Sequence, residues 1–410
     1  MNNCHPSLDS LTKLYGEPSA LVDNFESRRN GYAIWGFQNT IKYNLQSIYV
    51  NEKKVDGDPL NILQGLWNEW LLSNSKIKSI GFLGYDIKNL LYPHLKFKIA
   101  KTKYPCLWFA QPQTVRTYQL RDNMSYEIKP YLNLKEDILP LHKYDKLFSK
   151  IKEELKKGNS YQINLTAQKT FTYEKVSPLE IYLAIREFVK PAFGYFINTG
   201  DEQILSFSPE QFFNTNGSII QSFPMKGTQA RSVAKEKDNI NKNKLCDSKK
   251  DKAEHLMIVD LLRNDIGKIC KYGSVKVRDL FKIRSYVTVH QMISCVYGTL
   301  KKNIKHIDII KALCPGGSIT GAPKESSMKI IDFLESYNRE IYTGTIGHFD
   351  KKGDMHFNIA IRTMIAQNNL IEYSVGGGIV WDSDSKKEWE EAQLKSKILD
   401  AFIIKDNTGN

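Results

Sequence analysis

Long hydrophobic runs are missing from this chain of 410 residues. No stretch of about 18 consecutive apolar residues occurs, so no segment has the composition of a membrane-spanning helix. The first residues, MNNCHPSLDSLTKL, have neither the basic region nor the apolar region of a secretory signal. We therefore expect a cytoplasmic protein with no membrane partner.

Cysteine is also scarce. The six cysteines are scattered, with no C-x-x-C pair and no spacing typical of metal ligands, which argues against a cysteine-based metal site. We interpret these cysteines as reduced and mostly buried. Internal repeats and low-complexity tracts are absent, and no Pro/Gly/Ser-rich linker divides the later part of the chain.

Acidic residues are outnumbered, with 45 Asp and Glu against 58 Lys and Arg and a net charge of +13. Such a balance is compatible with binding to nucleic acid or to a small anion. The lysine-rich segments KEKDNINKNKLCDSKKDK and LKKNIKH have no interleaved aromatic residues, which is typical of a solvated surface. We therefore predict no nucleic-acid partner.

The rest of the composition is that of a globular protein, with 41% hydrophobic residues. Residues 1–133 have a mixed pattern, whereas residues 134–410 predict one continuous α/β unit. In that unit, helical periodicity from Tyr144 to Leu155 ends at Gly158, and SYQINLTAQKTF predicts a strand. A second helix is predicted to begin at the capping box of Ser177 and Glu180.

The segment SFSPEQFFNTNGSIIQSFPMKGTQAR places a lysine, Lys226, at the end of a β-like run. Asn216-Gly217 predicts a type I′ hairpin turn, which would put Glu210 opposite Phe223 and Lys226 opposite Phe207. The carboxylate and the ammonium would then lie at the same end of neighbouring strands. An ordinary cross-strand ion pair would give the same pattern.

Two acidic helix faces follow. Asp251 and Glu254 stand three residues apart in a helix predicted to begin near Asp247, and Glu388, Glu391 and Lys395 align after a predicted Ser385–Glu388 capping box. Either face could be a solvated helix start. Together, the two faces could hold one hard divalent cation such as Mg²⁺.

Glycines and isolated polar residues mark further candidate positions. LCPGGSITGAPK is a glycine-rich loop that leads into a helix containing Pro323, and Gly376 to Gly378 are expected to interrupt a strand at a bulge or a ligand contact. Arg362 in an apolar strand is costly unless it meets a carboxylate. His290 is either part of the site or a hydrogen-bonded core histidine.

The motifs SPEQFF, PMKGT, DKAEHLMIVDLLRND, VHQMIS, PGGSITGAPK, YTGTIG, IRTM, GGGIV and EWEEAQLK resemble, in this order, those of the chorismate-utilising enzymes. That family includes anthranilate synthase component I, aminodeoxychorismate synthase component I, and the isochorismate and salicylate synthases. The similarity runs from about Tyr161 to Leu399. It implies a single large α+β domain of two packed antiparallel β-sheets flanked by helices, with residues 134–410 as the chorismate-binding catalytic region and 1–133 as a divergent N-terminal subdomain.

The resemblance also implies roles for residues. Chorismate would bind through Mg²⁺ held by Glu254 and Glu391, with Asp251 and Glu388 acting through water. The implied substrate-binding residues are His290, Thr320, Tyr342, Arg362, Gly376, Gly377, Gly378 and Lys395. The sequence departs from the family at His255, where Asn is usual, and at Ala392, where Thr is usual.

Two positions separate the reactions of the family. Gln162 stands where the isochorismate and salicylate synthases have a lysine that activates water, and an amide is not a base. Lys226 stands where anthranilate synthases have alanine, and lysine there resembles aminodeoxychorismate synthase, with Lys226 as nucleophile and Glu210 as general acid. Anthranilate synthase component I is the alternative. No glutaminase motif is recognised, so we expect ammonia from a separate glutamine amidotransferase subunit.

Overall fold

The computed structural model describes residues 5–25, 30–98, 101–120, 131–286 and 289–404. The strands are β1 (Ala20–Asp23), β2 (Asn30–Tyr43), β3 (Ile48–Val50), β4 (Lys53–Val55), β5 (Ile77–Leu83), β6 (Leu107–Gln119), β7 (Leu132–Glu136), β8 (Gln162–Tyr173), β9 (Phe193–Asn198), β10 (Gln203–Ser208), β11 (Gln211–Asn216), β12 (Ile219–Ser222), β13 (Met225–Ala230), β14 (Lys276–Ser285), β15 (Val289–Thr299), β16 (Gly321–Ala322), β17 (Thr345–Asp350), β18 (Met355–Ile359), β19 (Thr363–Gln367) and β20 (Leu370–Val380).

The α-helices are α1 (Leu8–Tyr15), α2 (Pro59–Trp70), α3 (Lys88–Leu91), α4 (Leu141–Lys156), α5 (Pro178–Val189), α6 (Lys235–Asp247), α7 (Lys249–Ile269), α8 (His306–Leu313), α9 (Gly317–Thr320), α10 (Lys324–Leu334) and α11 (Ser385–Ser396). Three 3-10 segments cover Tyr85–Ile87, Pro93–Leu95 and Lys397–Phe402.

All of these strands pair in antiparallel fashion. One half of the network runs in the order β15, β12, β11, β18, β17, β5, β6, β2. It continues through β1, β9, β10, β19, β20 and β8. Strands from residues 1–133 therefore pair directly with strands of the later region, β1 with β9 and β5 with β17.

The two halves of the network also pack face to face. Ile80 and Phe82 of β5 share a buried cluster with Ile204 of β10 and Ile365 of β19, although β5 pairs with neither of those strands. Helices cover the outer faces, α5 next to β9 and β10 and α11 next to β20. The predicted single α+β domain with packed antiparallel sheets is confirmed.

Helix boundaries follow the local signals closely. Helix α5 begins with the predicted capping box. The Ser177 hydroxyl accepts a hydrogen bond from the Glu180 N–H, and the Glu180 carboxylate accepts one from the Ser177 N–H. Helix α4 ends at Lys156, just before Gly158 with φ +74°. The predicted capping box of Ser385 and Glu388 is wrong. Asp384 caps α11, and the Glu388 carboxylate accepts a hydrogen bond from the Ser383 hydroxyl. The caps of α7 and α10 are Ser248 and Pro323.

The predicted hairpin exists with a different register. Asn216 pairs with Ile219, so the two central residues of the turn are Gly217 and Ser218. Gly217 has φ +57°, and glycine at the first central position is the preference of a type II′ turn. The predicted pairing of Lys226 with Phe207 is wrong, because Lys226 lies on β13 and pairs with Met292 of β15.

Among the described residues, no helix is both long and apolar enough to cross a membrane. Five of the six cysteines lie in the described part of the chain, where all five are free thiols and only Cys246 is exposed.

Candidate active site

Lys226 projects toward the glycine triplet of β20. A methyl group on Gly378 would lie 3.2 Å from Lys226 Nζ and 3.1 Å from Gln162 Nε2, so any larger residue would crowd both side chains. Gly227 follows Lys226 with φ +71°, at a β-bulge. A methyl group on Gly227 would lie 3.0 Å from the carboxyl carbon of Asp251, which brings the strand of Lys226 against α7.

Burial lowers the pKa of the Lys226 ammonium. The carboxylate of Glu254 opposes this effect, the Lys395 charge adds to it, and Glu210 and Glu391 oppose it more weakly. An amine with a lowered pKa carries a larger neutral fraction near pH 7, and the neutral form is the nucleophile.

Glu210 lies between β10 and β11 and is only 9% exposed. Burial raises the pKa of its carboxyl group to about 7, although the Lys226 charge and a 3.4 Å hydrogen bond from the Ser318 hydroxyl oppose the rise. A carboxyl group with this pKa is partly protonated at neutral pH and can act as a general acid.

The four acidic residues proposed for a metal line the same region from two helices. Burial raises the pKa of Glu254 on α7, and the charges of Asp251 and Glu391 contribute to the rise. On α11, Glu391 forms a 2.9 Å ion pair with Lys395, and the Lys395 charge lowers the pKa of Glu391. A methyl group on Gly377 would lie 3.3 Å from Glu388 Oε2, so α11 faces the glycine triplet.

These residues fit a magnesium ion by their chemistry. Within the described residues, no three His, Cys, Asp or Glu side chains converge as a complete ligand set. Mg²⁺ usually takes one or two protein carboxylates and leaves its other positions to water and substrate. Glu254 and Glu391 would supply hard oxygen donors of that kind, and Asp251 and Glu388 would accept hydrogen bonds from water on the ion.

Three of the proposed substrate-binding residues, Gly376, Gly377 and Gly378, lie on β20. Gly376, Gly377 and Gly378 pair regularly with Thr166, Leu165 and Asn164 of β8, so the expected strand interruption is wrong. The Lys395 ammonium donates a 2.8 Å hydrogen bond to the Gly376 carbonyl.

Thr320 and Tyr342, two further residues predicted to bind substrate, are buried. The Thr320 hydroxyl donates to the Gly316 carbonyl at 2.8 Å. Burial raises the pKa of the Tyr342 phenol, and the Arg339 charge opposes the rise.

Arg362 does not lie in a strand as expected. It occupies the connection between β18 and β19 with φ +50°, a conformation that is uncommon for residues other than glycine and often found at functional sites. No carboxylate of the described residues pairs with its guanidinium. Burial raises the pKa of Tyr373 to about 12, and the charge of Arg362 opposes this rise. An arginine without a protein carboxylate is available for an anionic ligand.

His290 is placed differently from the other predicted residues. Its side chain is 1% exposed, with Nδ1 2.8 Å from the Ser285 hydroxyl and Nε2 3.1 Å from Asp238 on α6. Both ring nitrogens are therefore engaged by protein groups. This is the arrangement of a hydrogen-bonded core histidine.

The two departures from the family pattern are both buried. The His255 ring is fully buried, with Nε2 2.6 Å from the Ser294 hydroxyl, and burial, aided by the Lys226 charge, lowers its pKa to about 4. Ala392 is 3% exposed on the inner face of α11.

Two site residues were not among the predicted site residues. Ser318, whose hydroxyl donates a hydrogen bond to Glu210, follows the two glycines of the PGGSITG motif. A hydroxyl residue within a glycine-rich loop is the sequence feature that could have identified it. Gln162 is fully buried, and neither its amide oxygen nor its amide nitrogen has a hydrogen-bond partner in the described residues. A buried amide without partners is costly unless a ligand or water completes its bonds.

Comparisons with known proteins show the family of this chain. The chorismate binding enzyme family matches residues 127–400. The chain is 31% identical to anthranilate synthase component 1 of Saccharolobus solfataricus, covering 85% of this chain and 87% of that protein. It is 38% identical to aminodeoxychorismate synthase component 1 of Bacillus subtilis, covering 62% of this chain and about half, 54%, of that protein.

Among solved structures, anthranilate synthase component I from Streptococcus pneumoniae superposes with a TM-score of 0.79 and 26% identity, covering 90% of this chain and 92% of that chain. The fold, the order of the motifs and the matched residues lead to one conclusion. This chain belongs to the family of chorismate-binding enzymes.

Proposed function

We propose that this chain is an aminodeoxychorismate synthase component I, which converts chorismate and ammonia to 4-amino-4-deoxychorismate, a precursor of para-aminobenzoate and folate. The observation that carries the proposal is the pairing of a buried amine and a buried acid at one site. Burial moves the pKa of Lys226 down and that of Glu210 up, so both groups shift toward their reactive forms.

In the first step, the neutral Lys226 amine attacks C2 of the chorismate ring. A C–N bond forms at C2, both ring double bonds shift by one position toward C4, and the C–O bond at C4 breaks. The departing hydroxyl takes the proton of Glu210 and leaves as water, and the ammonium formed at C2 then gives a proton back to the Glu210 carboxylate.

In the second step, ammonia attacks C4 and the bond between Lys226 and C2 breaks. The electrons return both double bonds to their original positions, the ammonium formed at C4 loses one proton, and the departing Lys226 nitrogen takes up one proton and leaves as an amine. The overall change is chorismate plus ammonia to aminodeoxychorismate plus water.

Binding would be divided between two groups of residues. Arg362 would grip a substrate carboxylate, aided by Lys395 and the backbone of the glycine triplet. Mg²⁺ held by Glu254 and Glu391 would neutralise carboxylate charge when bound. The negative substrate would thus meet positive charge from two sides.

Gln162 favours amination over addition of water. An amide is not a general base, so nothing at this position would activate water for attack on the ring. Its unpartnered amide atoms next to Gly378 and Lys226 are free to hydrogen-bond a ligand instead.

Anthranilate synthase component I is the second candidate, favoured by the extent of the match to the Saccharolobus solfataricus protein. In that reaction ammonia attacks C2 directly. Lys226 argues against this reaction. Its Nζ would lie 3.2 Å from a methyl group on Gly378, so the lysine would compete with ammonia for C2 of a ring bound there. In either case we propose that a separate glutamine amidotransferase subunit supplies the ammonia.

The test incubates the full-length chain with chorismate, Mg²⁺ and an ammonium salt. The aminated product is identified by mass spectrometry and by its conversion to para-aminobenzoate when a lyase is added. Without ammonia, intact mass should show an adduct of chorismate minus water, mapped to the peptide containing PMKGT. Lys226→Ala should lack the adduct and shift residual amination from C4 to C2. Wild-type rates of C4 amination in Lys226→Ala would refute the assignment.

A further inference from the structure

A buried ion pair beside the site takes no part in the proposed chemistry. Arg339 is 3% exposed and Glu335 is 8% exposed. Arg339 Nε donates to Glu335 Oε2 at 2.8 Å and Nη2 donates to Glu335 Oε1 at 2.8 Å, so the guanidinium and the carboxylate form a bidentate pair. Such a pair fixes the plane of the guanidinium.

The remaining donors of Arg339 reach two backbone carbonyls. Nη1 donates to the Ile319 carbonyl at 2.9 Å, and Nη2 donates to the Asn164 carbonyl at 2.6 Å. Ile319 stands between Ser318, which bonds to Glu210, and Thr320. Asn164 lies opposite Gly378 in the pairing of β8 with β20. One guanidinium therefore connects the α9 segment with the strand beside the glycine triplet.

Two other groups hold the pair in place. Glu335 Oε1 also accepts hydrogen bonds from the Thr166 N–H at 3.1 Å and the Thr166 hydroxyl at 2.8 Å. On its open face, the guanidinium carbon lies 4.5 Å from the ring centroid of Tyr85. Tyr85 is 1% exposed, and its hydroxyl has no hydrogen-bond partner among the described residues, so its contribution is the aromatic face.

We propose that Arg339 is a positioning residue for the chorismate site, which sets the separation between the α9 segment and β8 and is itself oriented by Glu335 and Tyr85. The inference rests on the proposed function in that it assigns the effect to chorismate turnover. Stability alone is a poor reason for such a pair, because buried ion pairs stabilise little compared with apolar packing. The Lys side chain cannot substitute, since a single ammonium lacks the fork that reaches both carbonyls and Glu335 together.

The first experiment compares Arg339→Lys with Arg186→Lys. Arg186 is also 3% exposed, and its Nη1 lies 3.3 Å from Asp23 Oδ2, but its side-chain partners Asp23, Tyr118 and Glu187 belong to β1, β6 and α5 and not to β8 or β20. A misplacement of about 1 Å costs about 100-fold in rate, so we expect Arg339→Lys to lower kcat about 100-fold with a smaller change in KM. Arg186→Lys should lower the melting temperature at least as much while keeping kcat.

The second experiment leaves the arginine in place. Tyr85→Phe keeps the ring and should keep wild-type kcat. Tyr85→Leu removes the aromatic face and should lower kcat by up to about 30-fold, because loss of a desolvated cation–π contact costs roughly this factor. This comparison remains decisive if Arg339→Lys does not fold.

A third measurement does not depend on turnover. Amide hydrogen exchange in residues 316–322 and 162–166 should be faster in Arg339→Lys than in wild type and in Arg186→Lys. If wild type makes anthranilate instead, the proposed function fails but the kcat and exchange comparisons still test the positioning role. Equal kcat losses in the two arginine variants, or equal behaviour of the two Tyr85 variants, would overturn the inference, as would unchanged exchange.

Discussion

The protonation of Glu210 gives the sharpest quantitative prediction. Its carboxyl group has an ordinary pKa of 4.5, which burial raises to about 7 in the folded chain. Between these two pH values the folded protein keeps the proton that the unfolded chain releases. The stability that this group contributes is therefore fully present below pH 4.5 and is lost as the pH rises through 7.

The magnitude follows from the same pKa values. Each pH unit between 4.5 and 7 costs about 1.4 kcal/mol, so the total loss is about 3 kcal/mol. Glu210→Gln cannot ionise and should not show this loss. Subtracting the unfolding free energy of Glu210→Gln from that of wild type cancels the other titrating groups, and the difference should fall by about 3 kcal/mol between pH 4.5 and pH 7.

The assay is urea unfolding at closely spaced pH values, followed by kcat measurement at a constant concentration of free ammonia. Protonated Glu210 and neutral Lys226 are both needed in the proposed reaction, so wild-type kcat should fall tenfold per pH unit above the higher of their two pKa values. Glu210→Gln should lose this limb and be slower by about 10² to 10⁴.

Glu202 provides a matched control. Burial also raises its pKa to about 7, but it lies in the turn before β10 near Lys42 and not at the site. Glu202→Gln should therefore reproduce the pH dependence of the stability difference and keep wild-type kcat. A stability difference between wild type and Glu210→Gln that does not change with pH would refute the reasoning about Glu210.

Two further predictions concern binding. Glu254→Gln and Glu391→Gln should each abolish turnover at ordinary Mg²⁺ concentrations while the circular dichroism spectrum stays unchanged. Full activity in either variant would remove the metal assignment. The control is Glu325→Gln, which changes an exposed glutamate paired with His94 and should keep wild-type activity. Arg362→Lys should raise KM for chorismate about 10- to 100-fold, because a charged hydrogen-bonded contact is worth about 1.5–3 kcal/mol. An unchanged KM and kcat would mean that Arg362 has only a structural role.

The sequence predicted well those features that depend on neighbouring residues. The α5 capping box succeeded because Ser177 and Glu180 satisfy each other within one helical turn. The hairpin register failed because Asn-Gly and Gly-Ser are both acceptable turn centres, and the choice depends on which strands flank them. Lys226 pairs with Met292, 66 positions along the chain, a contact that no local pattern encodes.

The candidate site shows the same division. Helical spacing grouped Asp251 with Glu254 and Glu388 with Glu391, but only resemblance to a family brought the two helices together. Arg362 was expected in a strand because its neighbours are apolar, whereas the chain breaks there into a left-handed conformation. The unpartnered amide of Gln162 and the four hydrogen bonds of Arg339 depend on distant backbone groups, which a linear pattern cannot reveal.

The sheet order leads to a last prediction, about a fragment containing residues 134–410. The family match begins at residue 127. Two strands of the later region nevertheless pair with strands of the first 133 residues, β9 with β1 and β17 with β5. Removing these residues would leave two long strand edges unpaired and would expose the cluster that Ile80 and Phe82 share with Ile204 and Ile365.

It would also take the Tyr85 ring away from Arg339. We therefore expect the fragment to aggregate or to lack a cooperative urea transition, and expect co-expression of residues 1–133 as a separate chain to restore solubility and chorismate turnover. Sedimentation and urea unfolding decide the matter. A monomeric fragment that unfolds cooperatively near the full-length midpoint would show that the catalytic region folds without the strands that pair with it.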